Sequence, residues 1–182
     1  AFRNLLLAHP EYCGRVDMLA LLVPSRTEVT EYRSYLREVM ALVGEINATL
    51  SDGEWEPIRV LLGNNYDRAV AAFTLYDVLL VNPLADGMNL VAKEGAALNR
   101  QDGVVILSEE AGVAEGFGDA ALLVSPYDVY GTREALRQAL DMPEAERHDR
   151  ATKLKAQVRQ NDIHHWFRLQ LEDAEHQWNA GR

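Results

Sequence analysis

The sequence predicts an α/β fold built on a doubly wound parallel sheet. Short apolar segments alternate with amphipathic ones at the spacing of βαβ units. Residues 78–81, Val-Leu-Leu-Val, form an unbroken apolar run between a polar pair and Pro83, which suits a parallel strand covered on both faces. Just beyond it Asp86-Gly87 marks a turn, and from Met88 onward the residues are good helix formers. The open N–H groups of that helix start then lie at the strand's carboxyl end, the usual ligand position in an open α/β sheet and a ready anion site.

In chain order, residues 2–8 read as an amphipathic helix stopped at His9-Pro10. It begins without a cap, as expected of a chain cut from a longer one. Residues 15–23 read as a strand ending at Pro24-Ser25-Arg26. Thr27 or Thr30 can cap the next helix, whose apolar positions Val29, Tyr32, Leu36, Val39, Met40, Val43 and Ile46 recur at helical spacing. A polar loop is expected over 47–56, a strand over 58–62, a turn over 63–66 and a helix over 68–75. After the 78–81 strand come a helix over 90–99, a strand over 104–107, a loop over 108–112 opening a short helix, and a strand over 120–124. A turn at 125–128, a helix over 132–140 and another from Pro143 follow. Asn161-Asp162 interrupts this last helix ahead of a final amphipathic one carrying Trp166, Phe167, Leu169 and Leu171.

The 182 residues suffice for one domain, or one with a small appendage. A net charge of −10 opposes a nucleic-acid surface and leaves room for a local phosphate pocket. The single Cys13 excludes an intramolecular disulfide and a cysteine-rich zinc site, in keeping with a reducing cytoplasm. No apolar run reaches membrane-spanning length, and the first residues lack a signal-peptide layout.

Asp86 in its loop can accept hydrogen bonds from sugar hydroxyls, backbone donors from Gly87 to Leu90 can hold a phosphate or hydroxyl oxygen, and Glu94 can clamp a ribose diol. The alternative is that Asp86 caps the helix and Glu94 is a solvated face. Arg26, at a strand end, suits a phosphate through its two-pronged guanidinium, or is a surface arginine near a helix start. Asn64 and Asn65 can read a nucleobase edge or simply make a turn. Adjacent His164 and His165 point in different directions on a helix and make a poor metal pair. Glu109-Glu110 can be a carboxylate pair or, as is usual for two loop acids, simply solvated; Gly112 and Gly116 to Gly118 are too loosely spaced for a dinucleotide fingerprint, and no nucleophile triad or P-loop is present.

The stretch Pro83-Leu84-Ala85-Asp86-Gly87-Met88-Asn89-Leu90-Val91-Ala92-Lys93-Glu94 resembles the trehalose-6-phosphate synthases, retaining glycosyltransferases with two Rossmann-like domains. The resemblance extends in order through Pro10-Glu11-Tyr12, Pro24-Ser25-Arg26, Gly44-Glu45-Ile46-Asn47, Trp55-Glu56-Pro57-Ile58, Ser108-Glu109-Glu110-Ala111-Gly112, Pro126-Tyr127-Asp128 and Asn161-Asp162-Ile163-His164-His165-Trp166. It implies the C-terminal, nucleotide-sugar-binding half of such an enzyme. Residues 1–160 would form the donor-binding domain, and 161–182 a helix packing toward an N-terminal domain. Asp86 would be the catalytic residue at the donor glucose, with Gly87, Met88 and Asn89 beside it. Leu90 N–H would meet the diphosphate, Glu94 the ribose, Asn64 and Asn65 the base, and Arg26 the phosphate of glucose 6-phosphate. The implied partners are UDP-glucose or GDP-glucose, the sugar phosphate, the N-terminal domain and a further copy of the chain. No cofactor, metal, nucleic acid or membrane is implied, and the setting is cytoplasmic.

Three departures qualify the resemblance. The family's diphosphate-neutralising arginine and lysine fall upstream of Ala1, so this segment alone is expected to be inactive. Ala85 replaces a usual arginine, and Gly95-Ala96-Ala97 a bulkier trio. The loop Gly63-Asn64-Asn65-Tyr66-Asp67-Arg68 is short, which makes GDP-glucose a rival to UDP-glucose. A cyclitol-joining pseudo-glycosyltransferase or other-acceptor synthase and a non-catalytic regulatory subunit remain as alternatives.

Overall fold

A computed structural model describes residues 1–26 and 28–180. It contains two compact units, Ala1–Ala71 and Ala72–Arg182. Every strand pair in both units is parallel.

In the first unit, helix α1 (Phe2–Ala8) buries Phe2, Leu5 and Leu6 and ends at His9, where Pro10 opens a short 3-10 turn. Strands β1 (Met18–Leu22) and β2 (Ile58–Leu62) pair from Met18 with Ile58 to Leu22 with Leu62, and helix α2 (Thr30–Leu50) makes the crossover. Strand β1 is shorter than the predicted 15–23. Gly14 turns the chain at φ 73, and the Arg15 N–H bonds the Tyr12 carbonyl at 3.0 Å.

Both ends of α2 differ from expectation. Its N-cap is Val29, which has no side-chain acceptor to offer. Thr30 is the first helical residue, its hydroxyl 3.4 Å from an Arg33 nitrogen, while Thr27 lies outside the described residues. At the far end the helix continues through 47–50, which the sequence placed in a loop. Asparagine usually frays a helix by competing for nearby backbone groups. Here the Asn47 carboxamide is occupied elsewhere. Its Nδ2 donates to the Ile58 carbonyl at 2.8 Å and to Glu56 at 2.9 Å, and its Oδ1 accepts the Ile58 N–H at 3.0 Å. One side chain thus supplies both rungs of a missing ladder partner at the start of β2. Helix α3 (Tyr66–Leu75) starts two residues earlier than the predicted 68–75, because Asn65 Oδ1 accepts the Arg68 N–H at 2.9 Å in N-cap fashion.

In the second unit, β3 (Val78–Val81), β4 (Val104–Ser108) and β5 (Leu122–Val124) form a sheet in the order β3-β4-β5. Helix α4 (Leu90–Leu98) links the first two strands. A short helix α5 (Ala114–Phe117) and a 3-10 turn (Gly118–Ala120) link the last two. That turn takes the first residue of the predicted 120–124 strand. Helices α6 (Val129–Leu140), α7 (Glu144–Gln160) and α8 (Ile163–Ala180) follow. Asp128 caps α6 by accepting the Gly131 N–H at 2.9 Å. Asp162 Oδ1 accepts the His165 N–H at 2.8 Å and starts α8 afresh, which is the interruption expected at Asn161-Asp162.

The central strand β4 is buried along its whole length. Val105 and Leu107 join Ala92, Ala96, Phe117 and Leu154 in one cluster, so α4 and α7 cover that face. Val104 and Ile106 point the other way by strand alternation, toward α6, which contacts all three strands and buries Ala135, Leu136 and Ala139. Each large apolar side chain so buried contributes roughly 1.5–3 kcal/mol.

Small residues set how closely α4 lies on the sheet. A Cβ on Gly95 would collide with Leu79, and one on Gly103 with the ring and carbonyl of Tyr76. Tyr76 fills the space those glycines leave, its hydroxyl donating to the Gly95 carbonyl at 3.2 Å. Burial pushes its phenol well above the ordinary tyrosine range. Buried Asn99 then ties the turns at the amino ends of the strands together. Its Nδ2 donates to the Tyr76 carbonyl at 2.8 Å, and its Oδ1 accepts the N–H groups of Gln101 at 2.9 Å and Gly103 at 2.8 Å.

Replacing Asn47 with alanine removes both Ile58 partners at once. An Asn47→Ala variant should lose about 1–3 kcal/mol of stability, read as a lower urea midpoint at unchanged slope; an unaltered midpoint would show that water replaces the side chain without cost.

Candidate functional site

The site candidate in the second unit is the loop between β3 and α4. Strand pairing does not stop at Val81. Past the turn, Asp86 forms a parallel bridge with Ala111, on the loop that follows β4. The Asp86 N–H bonds the Glu110 carbonyl at 3.2 Å, the Gly112 N–H bonds the Asp86 carbonyl at 2.9 Å, and the Val113 N–H bonds the Met88 carbonyl at 3.1 Å. Two loops at the carboxyl edge of the sheet are therefore joined backbone to backbone. Gly112 permits this, since a Cβ there would strike the Gly87 carbonyl.

Within the loop Asp86 and Asn89 hold each other and the backbone, while the buried Asn82 Oδ1 has no partner among the described residues. Asp86 Oδ1 accepts the Met88 N–H at 3.1 Å, and Oδ2 accepts from Asn89 Nδ2 at 3.0 Å. Asn89 is 9% exposed and left-handed at φ 76, a conformation that asparagine tolerates better than most residues. Its Oδ1 accepts the Ala92 N–H at 2.8 Å and so caps α4. Asp86 itself does not cap the helix; it holds the residue that does. The Leu90 and Val91 N–H groups, in the first turn, have no acceptor among the described residues. They carry the positive end of the helix dipole.

Asp86, Gly87, Met88 and Leu90 are exposed, so the loop presents a carboxylate and open N–H groups to solvent. Glu94 is half-buried one turn further along α4, with no ion pair among the described residues. The structure thus brings Asp86, Gly87, Met88, Asn89, Leu90 and Glu94 into one loop and helix start. Its chemical capacity is plain: an acceptor for hydroxyl groups beside donors for an anion.

Arg26, Asn64 and Asn65 belong to the first unit. Arg26 follows β1, exposed and at φ 49, an uncommon conformation for a long side chain. Its guanidinium donates to the Tyr32 hydroxyl at 3.0 Å and lies 5.5 Å from the centre of that ring. Asn64 and Asn65 are exposed in the turn after β2, and the Asn65 amide oxygen is engaged at the α3 cap.

Two features escaped sequence reasoning. By spacing Gly112 fits no dinucleotide fingerprint, yet it is where the two loops touch. The motif points only to the backbone of Asn89, although its side chain bridges Asp86 and the helix. The available signal was a glycine after one strand and an Asp-Gly after its neighbour, both at carboxyl ends. No group of three or more His, Cys, Asp or Glu residues arranged to hold a metal occurs among the described residues.

The family model for glycosyltransferase family 20 matches residues 1–176. A trehalose-6-phosphate synthase from Sinorhizobium fredii is 40% identical over 176 residues, covering 95% of this chain and 38% of that relative. Among solved structures, an alpha,alpha-trehalose-phosphate synthase (UDP-forming) from Burkholderia xenovorans in complex with glucose-6-phosphate matches with a TM-score of 0.90 and 34% identity, over 96% of this chain and 39% of that one. A structure from E. coli bound with UDP-2-fluoro glucose matches with a TM-score of 0.89 and 35% identity, over 94% of this chain and 39% of that one. The chain therefore spans about two-fifths of the length of these relatives.

The loop contact can be probed without any ligand. A Gly112→Ala variant should cost about 1–3 kcal/mol through overpacking against the Gly87 carbonyl and shift the amide resonances of Gly87 and Met88. Wild-type stability together with unmoved resonances would show that the loops separate freely.

Proposed function

This chain belongs to glycosyltransferase family 20, and from that membership and the geometry of the Asp86 loop we propose that it is the donor-binding part of a trehalose-6-phosphate synthase. The reaction is transfer of glucose from a nucleoside diphosphate to glucose 6-phosphate with retention at the anomeric carbon. The observation that carries the reading is the loop from Asp86 to Leu90, where a carboxylate and open helix N–H groups sit together at the carboxyl edge of the sheet.

In this reading Asp86 accepts hydrogen bonds from the donor glucose, and the Gly87, Met88 and Asn89 backbone lines the sugar. The Leu90 N–H meets the diphosphate, where the helix dipole favours the charge that grows as the leaving group departs. Glu94 takes the ribose hydroxyls, Asn64 and Asn65 the base edge, and Arg26 the acceptor phosphate. The Tyr32 hydrogen bond supports Arg26 in that role by restricting its guanidinium. Such chemistry depends on positioning and charge stabilisation, and it needs no cofactor beyond the nucleotide sugar.

The UDP-forming description of one relative and the UDP-2-fluoro glucose bound to another support UDP-glucose as donor. The short 63–68 turn keeps GDP-glucose as the competitor to test. No described helix is long and apolar enough to cross a membrane, and the reading places the enzyme in the cytoplasm.

The partner of helix α8 belongs to the same reading. Ile163, Trp166, Phe167 and Leu171 are exposed at helical spacing, with Trp178 beyond them. They would pack on an N-terminal domain of the same protein, since most of the relatives' length lies outside this segment. In the full-length protein Trp166→Ala should then cost about 3–5 kcal/mol in thermal unfolding; a change within about 0.5 kcal/mol, the usual surface effect, would reject that packing.

The reaction is tested with the full-length protein, glucose 6-phosphate and each of UDP-glucose and GDP-glucose. Trehalose 6-phosphate is the expected product, formed faster from UDP-glucose, and Asp86→Ala should abolish turnover. No product from either donor would refute the assignment, and faster turnover with GDP-glucose would reverse the donor choice.

A further inference from the structure

We propose that the Asn89 side chain is a positioning residue that aims the Asp86 carboxylate. The inference rests on the sugar-binding role of Asp86 given above and adds a role for a side chain that contacts no substrate in that reading.

Three observations carry it. Asn89 is a buried polar residue in the left-handed region, where its backbone is held at φ 76. Strain of this kind persists only where surrounding contacts over-determine it. Its carboxamide works in two directions at once: Nδ2 donates to Asp86 Oδ2 at 3.0 Å, and Oδ1 accepts the Ala92 N–H at 2.8 Å. The remaining Asp86 oxygen is occupied by the Met88 N–H at 3.1 Å. The carboxylate is therefore gripped at both oxygens, and one grip is anchored to helix α4 itself. Each oxygen retains a lone pair, so a sugar hydroxyl can be accepted without breaking either bond.

Capping α4 requires only an acceptor at position 89, whereas aiming Asp86 requires a donor there. Asn89→Asp separates the two roles, because aspartate caps as well as asparagine and tolerates the left-handed conformation. It sets a second carboxylate against Asp86 Oδ2 in place of the N–H. When the pair shares one proton, the hydroxyl of the introduced carboxyl group donates to Asp86 as the amide did. The variant's defect should therefore be relieved by acid. A purely structural cap makes the opposite demand, since ionised aspartate is favoured at a helix start.

The test uses full-length protein with donor and acceptor saturating, and compares kcat of Asn89→Asp with wild type from about pH 8 to about pH 5.5, spanning ordinary and raised carboxyl values. Glu109 and Glu110 on the adjoining loop, and Lys93 and Glu94 on α4, are present in both proteins, so their titration cancels to first order in the ratio. Near pH 8 the variant should lose on the order of 100-fold in kcat, as expected of a misplaced reacting group, with its affinity for UDP alone and its melting temperature close to wild type. The ratio of variant to wild type should rise as the pH falls. Asn89→Ser, which caps but is too short to reach Asp86, should show the loss without the acid relief, and it serves in place of Asn89→Asp should that variant not fold. Wild-type kcat near pH 8 in either variant, or a ratio for Asn89→Asp that stays flat or falls with acid, overturns the proposal. Asp86→Ala is assayed alongside: if it is inactive while both Asn89 variants turn over normally, the positioning role alone fails. If Asp86→Ala turns over normally, the reading of Asp86 fails and the positioning role falls with it.

Discussion

The candidate site depends on a single close approach, that of Gly112 to the carbonyl of Gly87. Both loops end strands of one parallel sheet, and their backbones stay paired beyond the last strand residues through Asp86 and Ala111. A side chain at position 112 would part them. The three bonds from one loop to the other then have no geometry to form, and the turn that carries Asp86 loses its wall. Everything chemically useful in the loop is arranged on that wall, including the carboxylate, the left-handed asparagine and the open first turn of α4.

Behind the wall, the same economy of size governs how α4 meets the sheet. Gly95, Ala92 and Ala96 let the helix lie close, and Tyr76 occupies the gap between Gly95 and Gly103. At Gly95 the small size has a direct physical reason, because a Cβ there would collide with Leu79. Asn99 performs at the amino ends of the strands what Asp86 and Asn89 perform at the carboxyl ends. Asn99 satisfies backbone groups from separate turns, whereas Asn89 satisfies the Ala92 N–H and holds the Asp86 carboxylate, and an unpaired group at either place would be costly. The helix start is held at both ends of its connection, which keeps its N–H groups aimed and limits the reorganisation that binding would require.

Much of this was legible in the sequence. Strands at 58–62 and 78–81 and the helix at 2–8 lie where the apolar patterns put them, because apolar runs between Pro and Gly punctuation have few other solutions. The loop after 78–81 was legible as a ligand position from Asp-Gly followed by good helix formers. Where expectation and structure part at residues 47–50, the cause is contact over distance: they are helical because Ile58 draws off the Asn47 side chain, which leaves no trace in local propensity. The early start of α3 is a local effect, the Asn65 side chain accepting the Arg68 N–H three residues on.

What the sequence determined by itself was the class of the fold, the parallel sense of its strands, the family resemblance and the residue types at the candidate site. Those follow from periodicity, turn chemistry and a long motif, all readable along the chain. What tertiary structure alone decided was the use to which those residues are put. Asp86 grips Asn89 instead of capping the helix, Asn89 does the capping, and a glycine beyond the neighbouring strand makes room for both. Hydrogen-bond partners and steric clearances are set by which loops adjoin in space, and Gly112 is adjacent to Gly87 only once β3 and β4 have paired.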